Sequence, residues 1–218
     1  MTAALFAGFT ELLLGGDIQL DADTIKVALL DTGTADTGIK AISGATNATP
    51  IVVTATAHGF ANGDRVIIGG VGGNTAANGH FTIANVAANT FELTTVVAGA
   101  NVAGNGAYTS GGYALCLGPS AAGDFYSDYD GAVVGTPQTL GSKTIAAGVF
   151  DAADATFSAV AGNSVEAILI YKDTGAAGTS PLIMVDNGAT GLPVTPNGGD
   201  ITVTWANTIN RIFRLVAS

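Results

Sequence analysis

The chain has 218 residues and carries 17 Asp plus Glu against 7 Lys plus Arg, a formal net charge of −10. The absence of any basic run excludes direct binding to nucleic-acid phosphates as its main business, and one cysteine excludes an intrachain disulfide framework. Charged residues are 11% of the chain, against about 25% in an average soluble domain, and such a weakly charged surface suits a protein covered by neighbouring subunits.

Taken in chain order, Leu5, Phe6, Phe9, Leu12 and Leu13 are spaced for one short amphipathic helix over Thr2–Leu14, with Gly15-Gly16 as its stop. An irregular arm is the alternative. Thr10 and Glu11 interrupt this stretch and it is too short to span a bilayer. The first Lys is Lys26, so a basic leader is lacking and cytoplasmic synthesis without export is expected. Ile25–Leu30 reads as a buried strand ended by Asp31-Thr32-Gly33.

From Ile39 to Ala107 short apolar strands alternate with glycine-centred turns. The predicted strands are Ile51–Ala55, Arg65–Ile68, His80–Ala84 and Thr90–Leu93, and Asn78-Gly79 is a hairpin-type turn. This spacing predicts a small barrel or sandwich. Gly99–Gly112 reads as a return linker.

Tyr113–Leu117 is then expected as a strand of the flanking domain, followed by the acidic, aromatic run Asp124–Asp130. Val149–Phe157 predicts a strand on each side of an Asp-containing bend. Val165–Lys172, Leu182–Asp186 and Ile201–Trp205 predict an antiparallel meander, and Arg211–Leu215 closes the chain as a further alternating segment. The fold class expected is mainly β: an antiparallel sandwich or barrel host, residues 1–38 and 108–218, with a small β-barrel module, residues 39–107, inserted into it.

Reactive side chains form no convincing constellation. His58 and His80 sit at turns or strand ends, with Asp64 and Glu92 as the nearest acids, which falls short of the three or four close ligands of a zinc site. Cys116 lies in an apolar run and reads as a small buried hydrophobe. No Gly-x-Ser-x-Gly elbow occurs, and Ser110 is linker-like. The pairs Asp151/Asp154 and Asp128/Asp130 could serve a glycosidase or calcium, but Asp at bends more simply bonds local backbone amides. Gly69–Gly73 lacks the Gly-Lys-Ser/Thr ending of a phosphate loop and reads as a turn. No catalytic, cofactor-binding or metal-binding residue is assigned.

Two resemblances follow from these residues. Through His58-Gly59-Phe60, Gly63-Asp64-Arg65-Val66, Asn78-Gly79-His80-Phe81 and Thr90-Phe91-Glu92-Leu93, the module resembles small β-barrel repeats of tailed-phage structural proteins. Those repeats are described as similar to the first catalytic-cysteine half-domain of ubiquitin-activating enzymes. The module has no cysteine, so that label implies no ubiquitin chemistry. The flanking host is similar to small virion proteins encoded among phage head and tail genes. It carries that likeness in Ile25–Asp31, Asp124–Asp128, Gly148–Asp154, Ala167–Gly175 and Gly191–Asp200.

The resemblance implies a virion structural protein, not an enzyme, needing no cofactor. The leading expectation is a capsid cement or decoration protein on the outer surface of the shell. Its partners would be the major capsid protein and further copies of itself, with a trimer favoured and neither nucleic acid nor membrane bound. The alternative is a tail, tail-fibre or head–tail connector component.

Overall fold

The computed structural model describes residues 3–206 and 211–215. Thr2, the first residue of the expected amino-terminal helix, lies outside them.

The elements in chain order are β1 (Ala3–Leu5), α1 (Ala7–Gly15), β2 (Ile25–Leu30), β3 (Ile39–Ala41), β4 (Gly44–Ala45), β5 (Val52–Thr54), β6 (Arg65–Gly69), β7 (Gly79–Ala87), β8 (Thr90–Thr95) and β9 (Tyr113–Cys116). They continue with β10 (Val133–Thr139), β11 (Thr144–Ala146), β12 (Val149–Asp151), β13 (Ala155–Phe157), β14 (Ala167–Lys172), β15 (Leu182–Asp186), β16 (Ile201–Val203) and β17 (Phe213–Arg214). The protein is mainly β, its ladders are antiparallel, and α1 is its one α-helix among the described residues. That helix begins after a short strand rather than at Thr2, and Gly16 closes it at φ +84°, in the left-handed region that glycine enters without steric cost.

A five-stranded sheet in the order β1-β15-β14-β2-β10 forms the first body. Two of its three inner strands, β2 and β14, are buried along almost their whole length. Side chains alternate along a strand, so this burial means that both faces of the sheet are covered. Phe6 and Phe9 of the α1 region pack edge-on against Tyr129 and Phe213 respectively. Small sheets β11-β12-β17 and β13-β16 complete this body. The expected meander is therefore corrected: β14 and β15 pair, but β16 pairs with β13, and the outer edge of β15 is taken by β1.

The second body is a seven-stranded sheet in the order β3-β9-β6-β7-β8-β5-β4. Its two edges, β3 and β4, are successive pieces of the one segment Ile39–Ala45. Ile42 N–H bonds to the carbonyl of Gly112 and Ser43 N–H to that of Thr54, so this segment turns from one end of the sheet to the other. The segment Gly99–Gly112, expected as a linker, is laced onto the sheet: the Val102 carbonyl accepts from Ile51 N–H and its N–H donates to the Leu93 carbonyl. Asn78-Gly79 is not a two-residue hairpin. A single 3₁₀ turn, Thr75–Ala77, precedes it, and the Asn78 amide clasps the N–H and carbonyl of Val71, each at 2.9 Å.

The strand β9 belongs to this seven-stranded sheet, between β3 and β6, rather than to the five-stranded one. Its alternation joins two cores. Ala114 and Cys116 pack with Val66 and Ile68 in the interior of the seven-stranded sheet. Leu115 and Leu117 turn the other way and pack with Ile39 and Ile67 into the core of the first body.

Candidate functional site

His58 is buried in the seven-stranded sheet's core. Its Nδ1 accepts the Phe60 N–H at 3.0 Å and its ring lies against Phe60 and Phe91. His80, on β7, stands opposite Ile67 of β6, on the face turned toward the first body. The two histidines thus have separate environments. Glu92 bonds Asn85. Among the described residues no group of three or more His, Cys, Asp or Glu is placed to hold a metal ion.

Asp64 is almost fully buried and acts as a local clasp. Its carboxylate accepts from Ala61 N–H at 2.8 Å, from Ser120 N–H at 2.8 Å and from Ser120 Oγ at 2.6 Å. Cys116 Sγ lies 3.6 Å from the same carboxylate. Burial first, and the Asp64 charge second, push the thiol up to about 12. A thiol held protonated is neither a nucleophile nor a metal ligand.

Three of the other acids hold backbone or a cation. Asp151 is paired with the Arg211 guanidinium. Asp154 accepts the Trp205 N–H at 3.0 Å, while the Trp205 indole donates to the Ala153 carbonyl at 3.1 Å. Asp128 accepts the N–H groups of Asp124 and Phe125, and burial is the largest cause of its upward shift. Asp130 opens a separate 3₁₀ turn, Asp130–Ala132. The glycine run is a turn pinned from outside, with Gly72 N–H on the Ser110 carbonyl at 2.8 Å. A Cβ on Gly73 would come within 2.0 Å of the Ala107 carbonyl oxygen.

Three surface features remain as places where another molecule could sit. A cleft of 580 Å³ lies between α1, the Pro119–Phe125 stretch and the Lys172–Leu182 stretch. A smaller pocket of 280 Å³ lies where β1 meets β6 and β7, and Arg65 and His80 line it. The third feature is the hairpin of β11 and β12, which turns at Ala147 and Gly148, both at positive φ. Every residue of β11 is exposed, and among the described residues this strand pairs only with β12. Neither the pocket nor the hairpin was foreseen as a site. Arg65 and His80 are 15 positions apart, and only the register of β6 against β7 brings them to one face.

No protein-family model matches the chain, and no curated protein matches it. Among the described residues no helix is long and apolar enough to cross a membrane.

Proposed function

We propose that this chain is a structural protein of a tailed-phage virion, a cement or decoration protein that assembles as a trimer on the outer surface of the capsid against the major capsid protein. The observation that carries this reading is the hairpin Thr144–Asp151. Its outer strand offers an edge unpaired among the described residues, with exposed side chains, Ile145 being 50% exposed. Such an edge accepts a strand from a neighbour, with backbone hydrogen bonds giving affinity and side-chain contacts giving register.

The two-sided burial of β9 supports the same reading. A protein that resists outward pressure on a shell must carry force between its parts, and Leu115 packs between them in a core that excludes water. Acidity with few basic residues suits a position outside the shell, away from packaged DNA.

One observation favours the tail-component reading. Val97, 98% exposed in the loop between β8 and the following segment, is an apolar tip suited to adhesion. Particle stability separates the two. Capsids lacking this protein should lose their genome at lower temperature than complete ones. Equal survival of heat and of genome packaging would sink the cement reading.

A further inference from the structure

In a chain with 17 acids and 7 bases, Arg65 is a cation with no ion-pair partner among the described residues. Its guanidinium makes one long contact, Nη2 to the Leu5 carbonyl at 3.4 Å. A guanidinium has five N–H donors, so most of its capacity is unused. Beside it, His80 Nε2 is buried and finds no hydrogen-bond partner among the described residues. Both side chains line the 280 Å³ pocket, whose other walls are apolar and include Leu5, Phe81, Val96 and Leu117.

We propose that this pocket binds a carboxylate carried on a short branched apolar tail. The planar guanidinium matches the two oxygens of a carboxylate, which it can engage in parallel hydrogen bonds. His80 Nε2–H supplies a further donor. An unpaired buried polar atom costs free energy, and a ligand oxygen at Nε2 would recover it. The volume lies just below the roughly 300–1,000 Å³ typical of ligand pockets, which limits the tail to a few carbons.

The alternation of β6 explains why the site exists. Arg65 and Ile67 face the first body; Ile67 is covered by its core, whereas Arg65, two residues back, reaches the end of β1 and lines the pocket. The same face is thus sealed at one position and open at the next. The carboxylate can belong to a free small acid or to the carboxyl terminus of a protein ending in a branched apolar residue; the recognition chemistry is shared. Burial and the Arg65 charge hold His80 below its ordinary value, so the ring is a neutral donor rather than a second cation.

The test is an NMR titration of the whole protein, following the His80 ring signals. The probes are isovalerate, isovaleramide, and acetyl-glycyl-leucine as free acid or amide. Saturable shifts with either acid, and much weaker ones with the matching amide, support the site. Response to isovalerate assigns a free small acid; response to the peptide acid alone assigns a chain terminus. Arg65→Gln should weaken binding about tenfold or more, the worth of a charge-assisted hydrogen bond. Arg65→Lys should fall between wild type and Arg65→Gln. Unchanged His58 signals report that each variant is folded. Equal binding of acid and amide, equal binding by folded Arg65→Gln, or no saturable shift with any probe overturns the proposal.

Discussion

Leu115 stands directly opposite Ile67 across the β9–β6 ladder, and both side chains leave their own sheet to pack in the core of the neighbouring one. The residues on either side of Leu115, Ala114 and Cys116, stay in the seven-stranded sheet's interior. A single strand therefore serves two cores, and loss of one core exposes a face of the other.

Leu115→Ala should cost about 2–5 kcal/mol, the range for truncating a fully buried leucine. The loss should register on both bodies together. In urea, Trp205 fluorescence reports the first body and the His58 ring signals report the second. Coincident transitions, shifted equally by the substitution, are expected. A shift in one probe alone would mean that the bodies unfold independently.

Cys116 should resist alkylation at neutral pH in the folded protein and react at once in denaturant. The thiol's ordinary value is 9.0 and the fold raises it to about 12. A raised value means that the folded state keeps its proton longer than the unfolded chain. The associated stability is present below pH 9.0 and is lost as pH rises toward about 12. Cys116→Ala should flatten that alkaline loss. Rapid labelling of the native protein would contradict this account.

His80 should make the protein sensitive to acid. Burial, then the Arg65 guanidinium, lowers its folded value below the ordinary 6.5. The unfolded chain therefore binds the proton first, and the stability is present above 6.5 and lost as pH falls through the folded value. Comparing urea midpoints of wild type and His80→Asn across this range isolates the effect. The variant should show a shallower decline on acidification; identical slopes would count against it.

Much of the fold was legible because apolar residues run continuously where both faces of a strand are covered and recur at every second position where one face is. Ile25–Leu30, Phe81 with Ile83, Phe91 with Leu93, and Ala167–Lys172 all read directly. Pairing partners were less legible. Tyr113–Cys116 is apolar throughout, which signals two covered faces but not which strands flank it. Ala3–Leu5 is three residues long, two of them alanine, too little to announce the strand that displaces Ile201–Val203 from the edge of β15. Asp128 bonds the nearby N–H groups of Asp124 and Phe125, as expected of Asp at bends, whereas Asp154 accepts the distant Trp205 N–H. The Arg65–His80 pocket was illegible because its walls come from β1, β6 and β7, brought together only by tertiary packing.

Gly38→Ala should destabilise the protein by about 1–3 kcal/mol through overpacking. A Cβ there would lie 2.4 Å from the Tyr129 ring. That ring has nowhere to retreat: it is wholly buried, packs edge-on against Phe6 and donates its hydroxyl to the Cys116 carbonyl. Tyr129→Leu in the same background should recover part of the loss. A Gly38→Ala variant as stable as wild type would show that the aromatic side chain can move aside.

The proposed place of the protein is tested most directly by a reconstruction of intact virions at a resolution that separates strands. The account predicts density for this fold in threefold clusters on the outer surface of the shell, with β11 paired to a strand of a neighbouring subunit. Absence of the protein from purified particles, or its density on the tail with a bare shell, would contradict it.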